Sequence, residues 1–157
     1  MKVILLVIGK TDDDYLNKGI SIYLKRIEHY LPFELKVIPE LKNTKNISEA
    51  VQKTKEGELL LESIQSGDHL LLLDEGGKEF TSKGYADFLQ KKMLTGIKNL
   101  VFVIGGPYGF SDAVYARANG KMSLSKMTFS HQMVRLIFVE QLYRALTIIK
   151  GEPYHHE

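Results

Sequence analysis

Apolar residues along the chain alternate between short solid runs and helically spaced stretches. Lys2–Ile8 (KVILLVI) is apolar almost throughout and rich in β-branched side chains, as a buried strand is. Thr11 to Asp14 offer capping groups and early negative charge. They predict a helix to about Tyr30, with Tyr15, Ile22, Tyr23, Ile27 and Tyr30 on its apolar face. Phe33–Ile38 alternates and stops at Pro39, so it reads as a strand. Residues 42–46 form a polar loop, and a helix follows from about Ser48 to Gln65, with Gly57 as its weak point. Ser66-Gly67-Asp68 turns the chain into a strand over 69–73, apolar after its first residue. Residues 74–79 are expected to be a loop. Thr81 or Ser82 caps a helix to about Met93, and Asn99–Ile104 is another buried strand. Residues 105–109 form a loop, Ser111 caps a short helix to about Ala118, and 121–124 make a last short strand. After a loop over 125–130, the final helix runs to Ile149 or Lys150, and Gly151 suits its end.

This alternation predicts an α/β fold, a mainly parallel sheet with helices on both faces, in a single domain over residues 1–157. Ligands of such sheets bind at the carboxyl ends of the strands. Three loops stand there, 73–79, 104–109 and 124–130, and together they form the candidate site.

Composition narrows the chemistry. None of the 157 residues is Cys, which removes disulfides, thiolate catalysis and Cys-ligated metal. No run approaches the ~20 apolar residues of a membrane span, and the first apolar run is too short for a signal-peptide core. A cytoplasmic enzyme or binding domain is the expectation. The net charge is +2. Residues 121–157 carry all of that excess, with five basic and three acidic side chains, and also hold His131, His155 and His156. This end is either a phosphate-facing or catalytic region or a chance accumulation.

Each local motif has a structural reading beside a functional one. Gly105-Gly106-Pro107-Tyr108-Gly109 lets backbone approach a ligand closely, or is only a tight strand–helix turn. It is neither a dinucleotide-binding glycine motif nor a P-loop, because the spacing is wrong and no Lys-Ser/Thr follows. Leu124-Ser125-Lys126-Met127-Thr128-Phe129 joins a strand to a helix without Gly or Pro. Its hydroxyls and amides suit an adenine edge or ribose, and its apolar side chains can sandwich a ring. Its structural reading is a capping loop with three core anchors. His131 stands at the entry of the last helix, where the dipole favours neutral imidazole able to accept a proton. Arg135, one turn on, suits a phosphate or an enolate-like oxygen. Residues 133–149 are apolar on more than one stripe, so that helix is either central or lies in a homodimer interface. The tail Tyr154-His155-His156-Glu157 lacks a second cluster with ligand spacing, so no metal is expected.

Together these elements resemble a known family. Ile104-Gly105-Gly106-Pro107, the block from Leu124 to Arg135, Glu140-Gln141-Leu142-Tyr143-Arg144-Ala145 and the terminal Tyr154-His155 are similar to the RlmH type of ribosomal RNA methyltransferase. These are pseudouridine-N3 methyltransferases of the SPOUT superfamily, and the likeness runs from Met1 to Glu157. The resemblance implies a C-terminal trefoil knot, which ordinary connection rules do not predict. It implies S-adenosylmethionine, with Leu73, Gly105, Leu124, Ser125, Lys126, Met127, Thr128 and Phe129 as cofactor-binding positions. It implies a homodimer whose last helix lies in the interface and whose tail completes a site built partly by the partner chain. The implied substrate is helix 69 of 23S rRNA on the assembled 70S ribosome. His131 or His155 would accept the ring proton, Arg135 would stabilise negative charge, and Tyr154 would stack on or hydrogen-bond the base. Lys42, Lys45, Lys91, Lys92, Arg117 and Lys121 are candidate phosphate contacts. One departure is His156, where some members carry Arg. The alternatives are a SPOUT methyltransferase acting on tRNA and a non-catalytic nucleotide- or ribosome-binding module.

Overall fold

Solid apolar runs have no polar face to show to water, and they form the centre of the sheet in the computed structural model, which describes residues 1–156. Glu157, counted in the tail above, lies outside the described residues. The strands are β1 (Lys2–Ile8), β2 (Phe33–Ile38), β3 (His69–Glu79), β4 (Asn99–Ile104) and β5 (Gly120–Ser123). All pair in parallel, in the order β2-β1-β4-β3-β5. The helices are α1 (Asp14–Ile27), α2 (Glu49–Glu62), α3 (Ser82–Met93), α4 (Asp112–Arg117) and α5 (Met133–Lys150), with a 3-10 turn at Thr44–Asn46 inside the expected polar loop.

Successive strand residues point to opposite faces, and each face builds its own core. Leu5, Phe102, Ile20, Leu89, Phe138 and Leu142 meet on the side of α1, α3 and α5. Leu6, Leu72, Val103, Leu60 and Val114 meet on the side of α2 and α4. Helix starts follow their hydroxyls. Ser48 accepts from Val51 N at 3.2 Å, Thr81 from Gly84 N at 3.0 Å and Ser111 from Val114 N at 3.3 Å.

Three sequence expectations change. On α1 the buried stripe is Leu16, Ile20 and Ile27, while Tyr15 is 61% and Ile22 50% exposed. Positions 16, 20 and 27 repeat at i, i+4 and i+11 and face the sheet; Tyr15 and Ile22 fall on the flank of that stripe. The loop expected at 74–79 is instead β3 continuing. Met122 pairs first with Leu73 and again with Lys78, so 74–77 bulge out of the ladder and pairing resumes. Gly57 is no weak point. It is buried, and a Cβ there would collide with Ser111 Oγ and press on Val114 Cγ2 at 3.2 Å. It is the residue that lets α2 approach α4.

Arg135 on α5 ties this scaffold together. Its residue is 1% exposed. Nη2 donates to Ile8 O at 2.9 Å, and Nη1 donates to Gly9 O at 2.9 Å and Thr11 Oγ1 at 3.0 Å. Nε donates to His131 O at 3.1 Å. One guanidinium thus fixes the end of β1 to the first turn of α5. Burial lowers its pKa from the usual arginine value.

Arg135→Met leaves the Ile8 and Gly9 carbonyls without their donor and costs about 3–5 kcal/mol in urea unfolding. Arg135→Lys recovers only part, because an ammonium cannot reach four acceptors with a planar fork. Gly57→Ala gains helix propensity but overpacks the α2–α4 contact, for a net loss of about 1–2 kcal/mol by the same measurement.

Candidate active site

At the carboxyl ends of β3, β4 and β5 the three expected loops converge on one cavity of about 520 Å³. That volume is typical of a site for a drug-sized molecule. Leu73, Asp74 and Glu75 come from the bulge in the middle of β3. Ile104 to Pro107, Gly109 and Phe110 follow β4. Ser123 to Ser125, Met127 to His131 and Val134 come from the β5–α5 connection.

The β5–α5 loop has no Gly or Pro, and its own hydroxyls replace them. Ser123 Oγ donates to Ser125 O at 2.9 Å, Ser125 Oγ accepts from Met127 N at 2.9 Å, and Ser130 Oγ accepts from Met133 N at 3.1 Å. Thr128 Oγ1 donates across the cavity to Glu75 Oε1 at 2.5 Å. Asp74 Oδ1 accepts from Gly76 N at 2.7 Å, which shapes the bulge, and its other oxygen accepts from Tyr115 OH. Burial, then the bond to Asp74, pushes the Tyr115 hydroxyl up to about 12. The walls are therefore apolar, with Leu73, Ile104, Leu124, Met127 and Phe129, and one rim is acidic.

Seven of the eight expected cofactor positions lie on this cavity: Leu73, Gly105, Leu124, Ser125, Met127, Thr128 and Phe129. Lys126 does not. Its side chain is 86% exposed and its Nζ lies 4.0 Å from Glu79 Oε1, outside the cavity. His131 is exposed at the cavity mouth.

The remaining expected catalytic residues stand elsewhere. Arg135 is committed to the backbone of β1 and the α5 entry, so the anion-stabilising role expected of it does not match its position. Tyr154 and His155 lie on the C-terminal half of α5. Glu140 Oε1 accepts from Tyr154 OH at 3.0 Å and from Arg144 Nη2 at 2.6 Å. Arg144 Nη1 lies 3.2 Å from His155 Nδ1, and its guanidinium covers the Tyr154 ring at 4.8 Å. Burial, with the Tyr23 and Glu140 contacts, raises the Tyr154 pKa. The tail is thus ordered on its own helix, and among the described residues none from it lines the cavity. Arg117, a candidate phosphate contact, instead donates to Gln65 O at 3.0 Å and Asp68 O at 2.9 Å.

A second cavity, of about 170 Å³, adjoins the first and shares Gly106, Pro107 and His131 with it. Ile8, Glu40, Leu41, Thr44, Gln52 and Glu56 complete it. Sequence reading missed these residues. The available signal was Gly57, since a glycine inside a helix marks close packing and Glu56 is its neighbour. Among the described residues no group of three or more His, Cys, Asp or Glu is placed to hold a metal ion, and no helix is long and apolar enough to cross a membrane.

The comparisons agree with this architecture. The family model described as "Predicted SPOUT methyltransferase" matches residues 1–155. A protein of Parabacteroides distasonis is 64% identical over 157 residues, covering all of both chains. One of Christiangramia forsetii is 60% identical over 156 residues, 99% of each chain, and one of Bacteroides thetaiotaomicron is 58% identical over the full length of both. All three are named "Ribosomal RNA large subunit methyltransferase H". An all-parallel sheet with a loop-built cavity at its carboxyl edge, and a match over residues 1–155, place the chain in the SPOUT methyltransferase family.

Proposed function

We propose that this protein is a cytoplasmic enzyme that methylates N3 of a pseudouridine in helix 69 of 23S rRNA, on the assembled ribosome, with S-adenosylmethionine as donor. The observation that carries it is the single cavity formed by the three loops, in a chain whose full-length relatives are named ribosomal RNA methyltransferases. The residues fit the donor. Leu73, Leu124, Met127 and Phe129 offer apolar walls to a purine ring, and the acidic rim of Asp74 and Glu75 suits a ligand that carries positive charge. When bound, S-adenosylmethionine supplies an electrophilic methyl group on a sulfonium.

The protein's own contribution is placement. Holding two reactants in near-attack geometry is worth up to ~7–11 kcal/mol of barrier. Arg135 acts here without touching substrate, by fixing the turn that carries His131 at the cavity mouth. His131 is placed to hydrogen-bond the incoming base. Lys126, exposed beside the cavity, is a phosphate contact in this reading.

The same reading makes the C-terminal region a trefoil knot and two copies a homodimer. Exposed Tyr15 and Ile22 on α1, which packs beside α5, support an apolar partner surface. Tyr154 and His155, remote from the cavity of their own chain, would complete that of the partner. A net charge of only +2 fits recognition of a composite ribosomal surface better than tight binding of free RNA.

Labelled S-adenosylmethionine, offered with 70S ribosomes lacking the modification and with the same rRNA stripped of protein, tests this reading. The expected result is label at a pseudouridine N3 on ribosomes and little on naked rRNA. Label on tRNA overturns the acceptor, and binding of donor without transfer to any RNA overturns the activity. Phe129→Ala is expected to weaken donor binding about 5- to 150-fold in calorimetry, equivalent to the ~1–3 kcal/mol of a lost stacking side chain.

A further inference from the structure

The second cavity holds a group that the fold alone does not explain. Glu56 is 4% exposed, it lines this cavity, and its Oε1 has no hydrogen-bond partner. A buried carboxylate oxygen without a donor destabilises a fold, and such groups concentrate where they have work to do. The site is built around it. A Cβ on Gly106 would come within 2.6 Å of both carboxylate oxygens, so glycine there is what lets the carboxylate sit against the loop after β4. The loop that walls the large cavity on one side therefore backs onto Glu56 on the other.

We infer that Glu56 is the proton acceptor for the ring nitrogen that becomes methylated, with the small cavity receiving the acceptor ring. This rests on the methyl-transfer reading above. A uracil-type ring presents an N–H flanked by two carbonyls, and that nitrogen is a poor nucleophile while protonated. The small cavity offers it a carboxylate acceptor, the Gln52 amide and the Thr44 hydroxyl. The step balances simply. The N–H bond breaks, its electron pair stays on nitrogen, and the proton passes to Glu56, giving a neutral carboxylic acid and an anionic ring. Loss of that proton to water resets the carboxylate.

Charge around Glu56 favours this role. Burial, the largest cause, raises its pKa; Glu40 beyond β2 adds to the rise, while Gln52 on α2 and His131 before α5 oppose it. A carboxylate raised in this way is a stronger base than an exposed one. From α4, Ser111 and Val114 pack on the adjoining Gly57 and bring no charge. A raised folded-state pKa means that the protonated form stabilises the fold, and that this stabilisation is lost as pH rises through the folded pKa. Glu56→Gln should therefore melt at or above the wild-type temperature at neutral pH.

The test measures turnover on ribosomes lacking the modification, across pH, for wild type, Glu56→Gln and His131→Ala, with donor binding by calorimetry and melting in parallel. Wild-type turnover is expected to fall in acid with a midpoint above the usual carboxylate range. Glu56→Gln is expected to bind donor normally, melt no lower, and turn over about 10²–10⁴-fold more slowly, with the acid limb gone. His131→Ala should keep that limb. Three results overturn the assignment: turnover of Glu56→Gln within about threefold of wild type, loss of donor binding in step with turnover, or a limb that disappears only in His131→Ala. A wild type that binds donor but methylates no RNA overturns the underlying reading instead, and the role of Glu56 with it.

Discussion

Everything at the carboxyl edge of the sheet hangs on the Arg135 guanidinium. It is withdrawn from water, which costs several kcal/mol for any ion, and it is tolerable only because its donors meet four oxygens. Two of those oxygens end β1, one belongs to Thr11 before α1, and one belongs to His131 before α5. The bond set thus joins β1 to α1 and α5, two of the three helices of the larger core. It also fixes where the β5–α5 connection arrives, and with it the wall of the large cavity. A residue that looks like a reactive cation in sequence is a structural pin.

The two cavities follow from the sheet order. β4 and β3 lie between the early strands and β5, so the loop after β4 has space on both sides. On one side the β3 bulge and the β5–α5 loop enclose the large, mostly apolar space. On the other, α2 brings Glu56 against Gly106. The close α2–α4 approach at Gly57 makes this possible, because it presses α2 toward the loop after β4. A donor on one side and an acceptor ring on the other would meet where the cavities share Gly106, Pro107 and His131.

Much of this was legible in the sequence, because solid apolar strands and hydroxyl caps are local signals. β1, β2 and β4 have their predicted bounds, and Ser48, Thr81 and Ser111 stand at their helix starts. The three loops were legible as a group, because parallel sheets place their strand ends together. Other features depend on contacts that sequence does not print. Ile22 is as apolar as Ile20, and the direction of approach to the sheet decides which of them is buried. The return of β3 to β5 after its bulge needs a partner strand 44 residues away, paired as Lys78 with Met122. Arg135 reads as chemistry until its acceptors are seen, and Glu56 reads as a surface helix residue until Gly106 is seen against its carboxylate.

Hydrogen exchange read by mass spectrometry, with and without S-adenosylmethionine, tests most directly whether this carboxyl edge is the donor site. Slowed exchange is expected in residues 73–79, 104–110 and 123–131, with the outer strand β2 unchanged. Donor binding that protects other segments and leaves these three at their free rates would contradict it.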